Sequence, residues 1–335
     1  MKKILILITL AAAITFSAFS QDKAGTAGMT FLKMDVTARG MALGGAFIGL
    51  SDDASSLYYN PAGLINVKNS EFIASHNMYS ADIQYSFAGM SYPLPQMNAA
   101  AGIQFGYLTT GDMDETTPLN PTGTGRTFSA SDMFIGATYA QMLTPKFFVG
   151  GTLKLITENL ADESVMVGAG DVGTYYDTGW QSLVFGMSIR NFGSNFTYIK
   201  EDTPLPMLFV FGASWTAVDD DVNKLVTLFE AAHPSDNAEY ITLGLEYSYN
   251  DMFFARFGRK IDNDEYGLLK SSTSIPEGAE GGGDEDDGES GLNLMGTGLG
   301  IGFKMNDLGI KFDYAWKHMD DLGMTHMVTF GYELK

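Results

Sequence analysis

The chain has no cysteine, so neither a disulfide framework nor a thiolate metal site is open to it. Positive charge is also scarce. Twenty lysines and arginines stand against 40 acidic residues, a net charge of −20, and this opposes the basic footprint that nucleic-acid binding needs. Beyond residue 20 no stretch approaches the roughly eighteen uninterrupted apolar residues of a membrane-spanning helix. Catalytic signatures are missing as well. His76, His233, His318 and His326 form no HExxH, and there is no GxSxG elbow or phosphate loop ending in Gly-Lys-Ser/Thr. With no nucleophile and base at a telling spacing, the chain is expected to be a non-enzyme that uses neither metal nor cofactor.

What the chain does have, from about Ser70 to its last residue, is hydrophobic alternation with a period of two. Ile301, Phe303 and Met305 alternate with Gly300, Gly302 and Lys304; Ile310, Phe312, Tyr314 and Trp316 alternate with Lys311, Asp313, Ala315 and Lys317. In a strand, successive side chains face opposite sides, so one face is apolar and the other ionic. Strands are expected at 70–79, 82–92, 98–108, 128–142, 146–157, 164–176, 181–191, 205–216, 222–230, 239–249, 252–260, 294–305, 308–317 and 325–334. Loop length separates a membrane barrel from a soluble sandwich. Connections after even strands are short, as at Asn250-Asp251 and Asn306-Asp307, whereas those after odd strands are mostly long, at 109–127, 192–204 and 261–293. The first hairpin is an exception, with a very short turn near Ser80. Such sorting fits short periplasmic turns and long outer loops. The fold expected is all-β: a transmembrane antiparallel barrel of about 14 strands, its apolar exterior on outer-membrane lipid and its N-terminal segment a hatch or plug in the lumen.

Lys2 and Lys3 precede an apolar run from Ile4 to Phe16, and Ala18-Phe19-Ser20 offers small residues for a signal peptidase. Residues 1–20 therefore read as a signal peptide, 21–69 as the hatch and 70–335 as the barrel, in the outer membrane of a Gram-negative-type bacterium. Gly40, Ala42, Gly44, Gly45 and Ala46 permit close backbone approach; Asp52 or Asp53 is placed to cap a short helix over 54–58; Asn60-Pro61-Ala62-Gly63 is a turn signal. Inward candidates Lys154, Glu246, Arg256, Lys304, Lys311, Asp313 and Lys317 carry both signs. In a narrow lumen these are most cheaply held by pairing with one another or with the hatch, as in Arg39 with Asp52 or Asp53. The Gly296–Gly302 run fails GxGxxG, and its period of two fits a strand thinned on its inner face to admit the hatch. The acidic 261–293 stretch, with Asp284-Glu285-Asp286-Asp287-Gly288, lacks EF-hand spacing and reads as a solvated loop.

The run from Ala24-Gly25-Thr26-Ala27-Gly28 through Phe31-Leu32-Lys33, Ala38-Arg39-Gly40, Met41 to Phe47, Asp52-Asp53-Ala54 and Tyr59-Asn60-Pro61-Ala62-Gly63-Leu64 resembles the PorV/PorQ family, the UPF0164 group related to the FadL outer-membrane transporters. Later echoes are Gly170-Asp171-Val172-Gly173, Ile189-Arg190-Asn191-Phe192-Gly193 and Leu205-Pro206. The resemblance implies a hatch motif at Arg39, Gly44, Gly45, Asp52, Asp53, Asn60, Pro61, Ala62 and Gly63. It implies a component of type IX protein secretion, whose outer loops receive cargo C-terminal domains or machinery, with Phe192, Phe196, Tyr198 and Leu205 as apolar contacts. The alternative it carries is a FadL-like transporter of small hydrophobic molecules, with Met41, Leu43, Phe47, Leu57 and Tyr58 lining the path. Mass spectrometry of the exported protein should place its first residue at Gln21, and the purified material should need detergent to stay dispersed. Native, dispersed protein in plain buffer would sink the membrane assignment.

Overall fold

Alternation along the chain becomes a two-sided wall in the computed structural model, which describes residues 25–161, 163–198, 200–262, 296–319 and 323–334. Fourteen strands build it: β1 (Ser70–Met78), β2 (Gln84–Leu94), β3 (Ala99–Thr109), β4 (Ala130–Thr144), β5 (Phe147–Leu160), β6 (Glu163–Asp177) and β7 (Leu183–Gly193). The circuit continues with β8 (Leu208–Asp219), β9 (Asn223–Pro234), β10 (Tyr240–Tyr249), β11 (Phe253–Asp262), β12 (Thr297–Met305), β13 (Ile310–His318) and β14 (Met324–Leu334). Each pairs antiparallel with the next, and β14 returns to β1, from Ser70 opposite Leu334 to Met78 opposite His326. The sheet is closed, so no strand is left with an unpaired edge. Every strand expected from the alternation is present, with ends shifted by a few residues. The outer connections after β3 and β7 are long, as is the chain between β11 and β12, whereas the first hairpin turns within 79–83, β9 and β10 are joined by 235–239, and β5 ends at Leu160 with β6 beginning at Glu163. The expected signal peptide and most of the acidic stretch, at 263–295, lie outside the described residues.

On β3 the side chains of Ile103, Phe105 and Tyr107 are exposed while Gln104 between them is buried; on β5 Leu153 and Leu155 point out while Thr152, Lys154 and Ile156 are buried. An apolar exterior repeated around the barrel is stable only against hydrocarbon, since water would leave it as one continuous exposed patch. Tyr92, Trp180 and Trp215 are exposed near the short-turn end, and Tyr107 lies toward the other. These are the levels at which amphipathic rings meet lipid headgroups.

Residues 25–69 carry only short helical pieces: a 3-10 turn at Thr30–Lys33, α1 (Ala38–Ala42), α2 (Ser56–Tyr59) and a second 3-10 turn at Pro61–Asn66. Local chemistry sets their ends. The Thr37 side chain accepts from the Gly40 amide, and the Asn60 side chain accepts from the Ala62 amide, with Pro61 opening the last turn. Ahead of α2, Asp53 rather than Asp52 takes a backbone donor, the Ser55 amide at 2.8 Å. This segment is seated on glycines that thin the inner face of the wall. A Cβ at Gly150 on β5 would lie 2.5 Å from the Pro61 carbonyl carbon, and one at Gly173 on β6 would strike Asn60 and Pro61. Gly186 and Gly212 face Ile48, Gly258 and Gly298 face the backbone from Met41 to Gly44, and Gly300 faces the Ala42 side chain. Of the run expected to admit this segment, Gly298 and Gly300 do so; Gly302 makes room for the Arg256 and Asp313 side chains. Replacing Gly150 by Val should unseat residues 25–69 and open the bonds after Lys33 and Arg39 to trypsin, sites resistant in the unaltered protein. Unchanged resistance would overturn this packing.

Candidate functional site

Two chemically distinct regions meet around the N-terminal segment. The first is apolar. Phe31, Leu32, Leu43, Phe47, Tyr58 and Tyr59 from the segment form one buried cluster with Tyr85, Phe87, Phe134, Ile156 and Val167 from the wall, and Phe196 and Leu205 extend it from the β7–β8 connection. Ring contacts set its geometry: Phe47 and Tyr59 lie 4.9 Å apart, Tyr58 meets Tyr59 edge-on at 5.2 Å, and Phe31 lies 6.2 Å from Phe134. The Tyr58 hydroxyl reaches the carbonyl oxygens of Leu32 at 2.7 Å and Met34 at 2.8 Å, so the 3-10 turn and α2 are tied together inside the wall.

The second region is ionic and opens toward the short-turn end as a cavity of about 470 Å³, lined by Arg39, Asp52, Asp53, Glu71, Lys304 and Lys311 among others. Arg39 is its hub. Its Nη1 lies 2.6 Å from both Asp52 and Asp53, while Nη2 and Nε engage the two oxygens of Glu246 on β10 at 2.7 and 2.8 Å. A guanidinium suits this role because its fork binds a carboxylate with two parallel donors and still has a nitrogen for others. Glu246 also accepts from Arg256 at 2.6 Å, and Arg256 continues to Asp313. Lys311 bridges Glu71 and Glu333 at 2.7 Å each, and Lys304 approaches Glu333 at 3.4 Å. Burial of the Asp53 carboxyl raises its proton affinity, but the charges of Arg39 and Lys311 and bonds from Ser55 and Arg39 outweigh that and hold it below the usual carboxylate range.

Every inward charge singled out in the sequence has a partner. Lys154 pairs with Asp171 at 2.8 Å, Lys317 with Asp35 at 3.1 Å, and Glu246, Arg256, Lys304, Lys311 and Asp313 belong to the vestibule network. Gly44 and Gly45 take left-handed φ values of 70° and 94°, and the Gly45 amide closes back onto the Gly40 carbonyl at 2.9 Å. Gly63 lies against Ser51.

The five path residues divide. Leu43, Phe47 and Tyr58 share the apolar cluster, whereas Met41 packs with Ala315 and Met327, and Leu57 packs with Leu64, Val67, Ala100 and Ala140. Of the outer-loop residues, Phe196 and Leu205 are each only 5% exposed, Tyr198 packs against the same cluster, and Phe192 alone is well exposed. Phe134 and Glu71 were not singled out in the sequence, and Phe31 and Tyr59 entered only as part of the family wording, without a role. Phe134 was within reach of it, since it falls on the opposite phase from Met133 and Ile135.

No protein-family model matches the chain, and no curated protein does. Solved structures do share its fold. It superposes on a TodX monoaromatic hydrocarbon channel mutant with a TM-score of 0.59 at 12% identity, covering 89% of this chain and 99% of the other. On the Ralstonia pickettii toluene transporter TbuX the TM-score is 0.58 at 10% identity, with 89% and 98% covered. On a Pseudomonas aeruginosa FadL homologue it is 0.50 at 10% identity, with 90% and 98% covered. The barrel is FadL-like in fold and resembles Gram-negative outer-membrane proteins.

Arg39→Ala would leave Asp52, Asp53 and Glu246 sharing a semi-enclosed space with one cation fewer, a change expected to cost about 3–5 kcal/mol in unfolding free energy; Arg39→Lys, which cannot fork, should recover only part. Because the native Asp53 pKa lies below its unfolded value, its contribution is complete above about pH 4 and is lost as pH falls through the lower native value. Urea midpoints for the unaltered protein and Asp53→Asn should therefore converge on acidification below pH 4. A constant gap would contradict the pairing.

Proposed function

We propose that this chain is a FadL-like outer-membrane channel for small hydrophobic molecules and that residues 21–69 are its hatch. One observation carries the reading: the apolar cluster from Phe196 and Leu205 at the outer side, through Phe31, Leu32 and Phe134, to Phe47 and Tyr58 is lined on one side by the fixed wall and on the other by a segment without long secondary structure. A hydrophobic molecule gains at each contact what those side chains gain now, roughly 25 cal/mol per Å² of apolar surface removed from water. Exchange of segment for solute is thus nearly balanced. The ionic vestibule beyond offers no such gain, so a solute arriving there is released to water or into the wall. Neighbours of like fold are monoaromatic hydrocarbon channels and a toluene transporter, which agrees with a lumen of this chemistry.

A role in type IX secretion, as a receiver of cargo C-terminal domains, rests on the N-terminal wording alone. The loop residues that would receive cargo are mostly turned into the lumen. Uptake of radiolabelled toluene by cells carrying the chain in a lipopolysaccharide-coated outer membrane should exceed that of cells with empty vector. Phe134→Trp, which crowds the cluster, and Asn60→Ala, which loosens the turn against β6, should each change that uptake several-fold, whereas lipid-facing Leu153→Val should not. Uptake equal to the vector control in every case would remove the channel reading.

A further inference from the structure

One pair of inward charges breaks the pattern of compensation. Asp132 on β4 stands directly opposite Glu158 on β5. Each lies two residues beyond a fully buried inward side chain, Phe134 and Ile156, so both carboxylates face the lumen one step nearer the outer mouth. Like charges directly opposite on adjacent strands repel. Neither makes an ion pair among the described residues, and Glu158 Oε2 is buried without a hydrogen-bond partner. Two tyrosines stand near them. Tyr85, only 1% exposed and on the same level of the wall through Leu108, interacts electrostatically with Asp132, and its hydroxyl has no partner. Tyr198 lies beside Glu158 from the β7–β8 connection, its hydroxyl turned toward that carboxylate. Rings surround the group: Phe31 lies 6.4 Å from Tyr85, and Phe196 lies 5.6 Å from Tyr198.

We propose that Asp132, Glu158, Tyr85 and Tyr198 form an outer-mouth site for an ammonium group carried by an apolar molecule. A primary ammonium has three donors and no acceptor, so two carboxylates and a phenol oxygen satisfy it completely while its charge cancels their repulsion. Aromatic faces nearby favour an organic cation, and the described residues contain no group of three metal-ligating acids or histidines. The apolar body of the ligand then points toward Phe31 and Phe134. In this the inference rests on the hydrophobic path argued above and adds apolar amines to its substrate class.

The test is calorimetric titration of the full mature protein in detergent with 2-phenylethylamine and with its neutral analogue 2-phenylethanol. The amine should bind at least tenfold more tightly, and Glu158→Gln should abolish that preference while leaving 2-phenylethanol unchanged. In amine-free buffer the same substitution should raise the thermal midpoint, because it removes repulsion. Equal affinity for the two probes, an amine preference that survives Glu158→Gln, calcium binding in place of the amine, or a lower thermal midpoint for the variant would each overturn the proposal. Equal affinity of the unaltered protein for the two probes with toluene uptake intact removes this site alone, and amine preference without toluene uptake removes the channel reading alone.

Discussion

Backbone pairing around a closed circuit is the constraint on which everything else in this protein depends. In hydrocarbon an unpaired amide or carbonyl has no water to turn to, so a sheet survives there only when its last strand finds its first. The pairing of β14 with β1 along nine residues accomplishes this. Once the circuit is closed, period-two alternation has a fixed meaning: one phase meets lipid and the other meets whatever fills the cylinder. A slip of one residue in any register would exchange the two phases, which is why Leu153 and Lys154, adjacent in sequence, tolerate no ambiguity in their assignment.

What fills the cylinder follows from how much room the inner phase leaves. Glycines on β5, β6, β7, β8, β11 and β12 remove side chains where the N-terminal segment approaches, so its backbone lies directly on the wall. The converse holds on the segment, where Gly40 admits Tyr59 and Gly63 admits Ser51. Such contacts are short-range and steric, and they let five-residue helical pieces persist that would be far too short to be stable alone.

Within the cylinder, polarity is sorted by depth. Aromatic and aliphatic side chains gather toward the outer side, and Arg39, Arg256, Lys304 and Lys311 with their carboxylates gather toward the short turns. Charges kept in a partly enclosed space need partners near by, and the network supplies them from both the segment and the wall. The Arg39 fork joins Asp52 and Asp53 of its own segment to Glu246 of β10, so holding the segment and neutralising the wall are one interaction. The Asp132–Glu158 pair departs from this rule, and it lies at the opposite end.

Strand number, antiparallel order, the direction of each side chain and the expectation that inward charges pair were all legible in the sequence, because a period of two and loop length are local properties of the chain. The pairing of Arg39 with Asp52 and Asp53 was legible too, since those residues are near in sequence and opposite in charge. Tertiary structure alone decided the rest. That Glu246 and Glu71 join the vestibule, that Met41 and Leu57 leave the path for separate clusters, and that Phe196 and Leu205 turn inward depend on which strands the segment crosses. Those contacts include residues more than two hundred positions apart, and no local pattern records a distance that exists only after the sheet has closed.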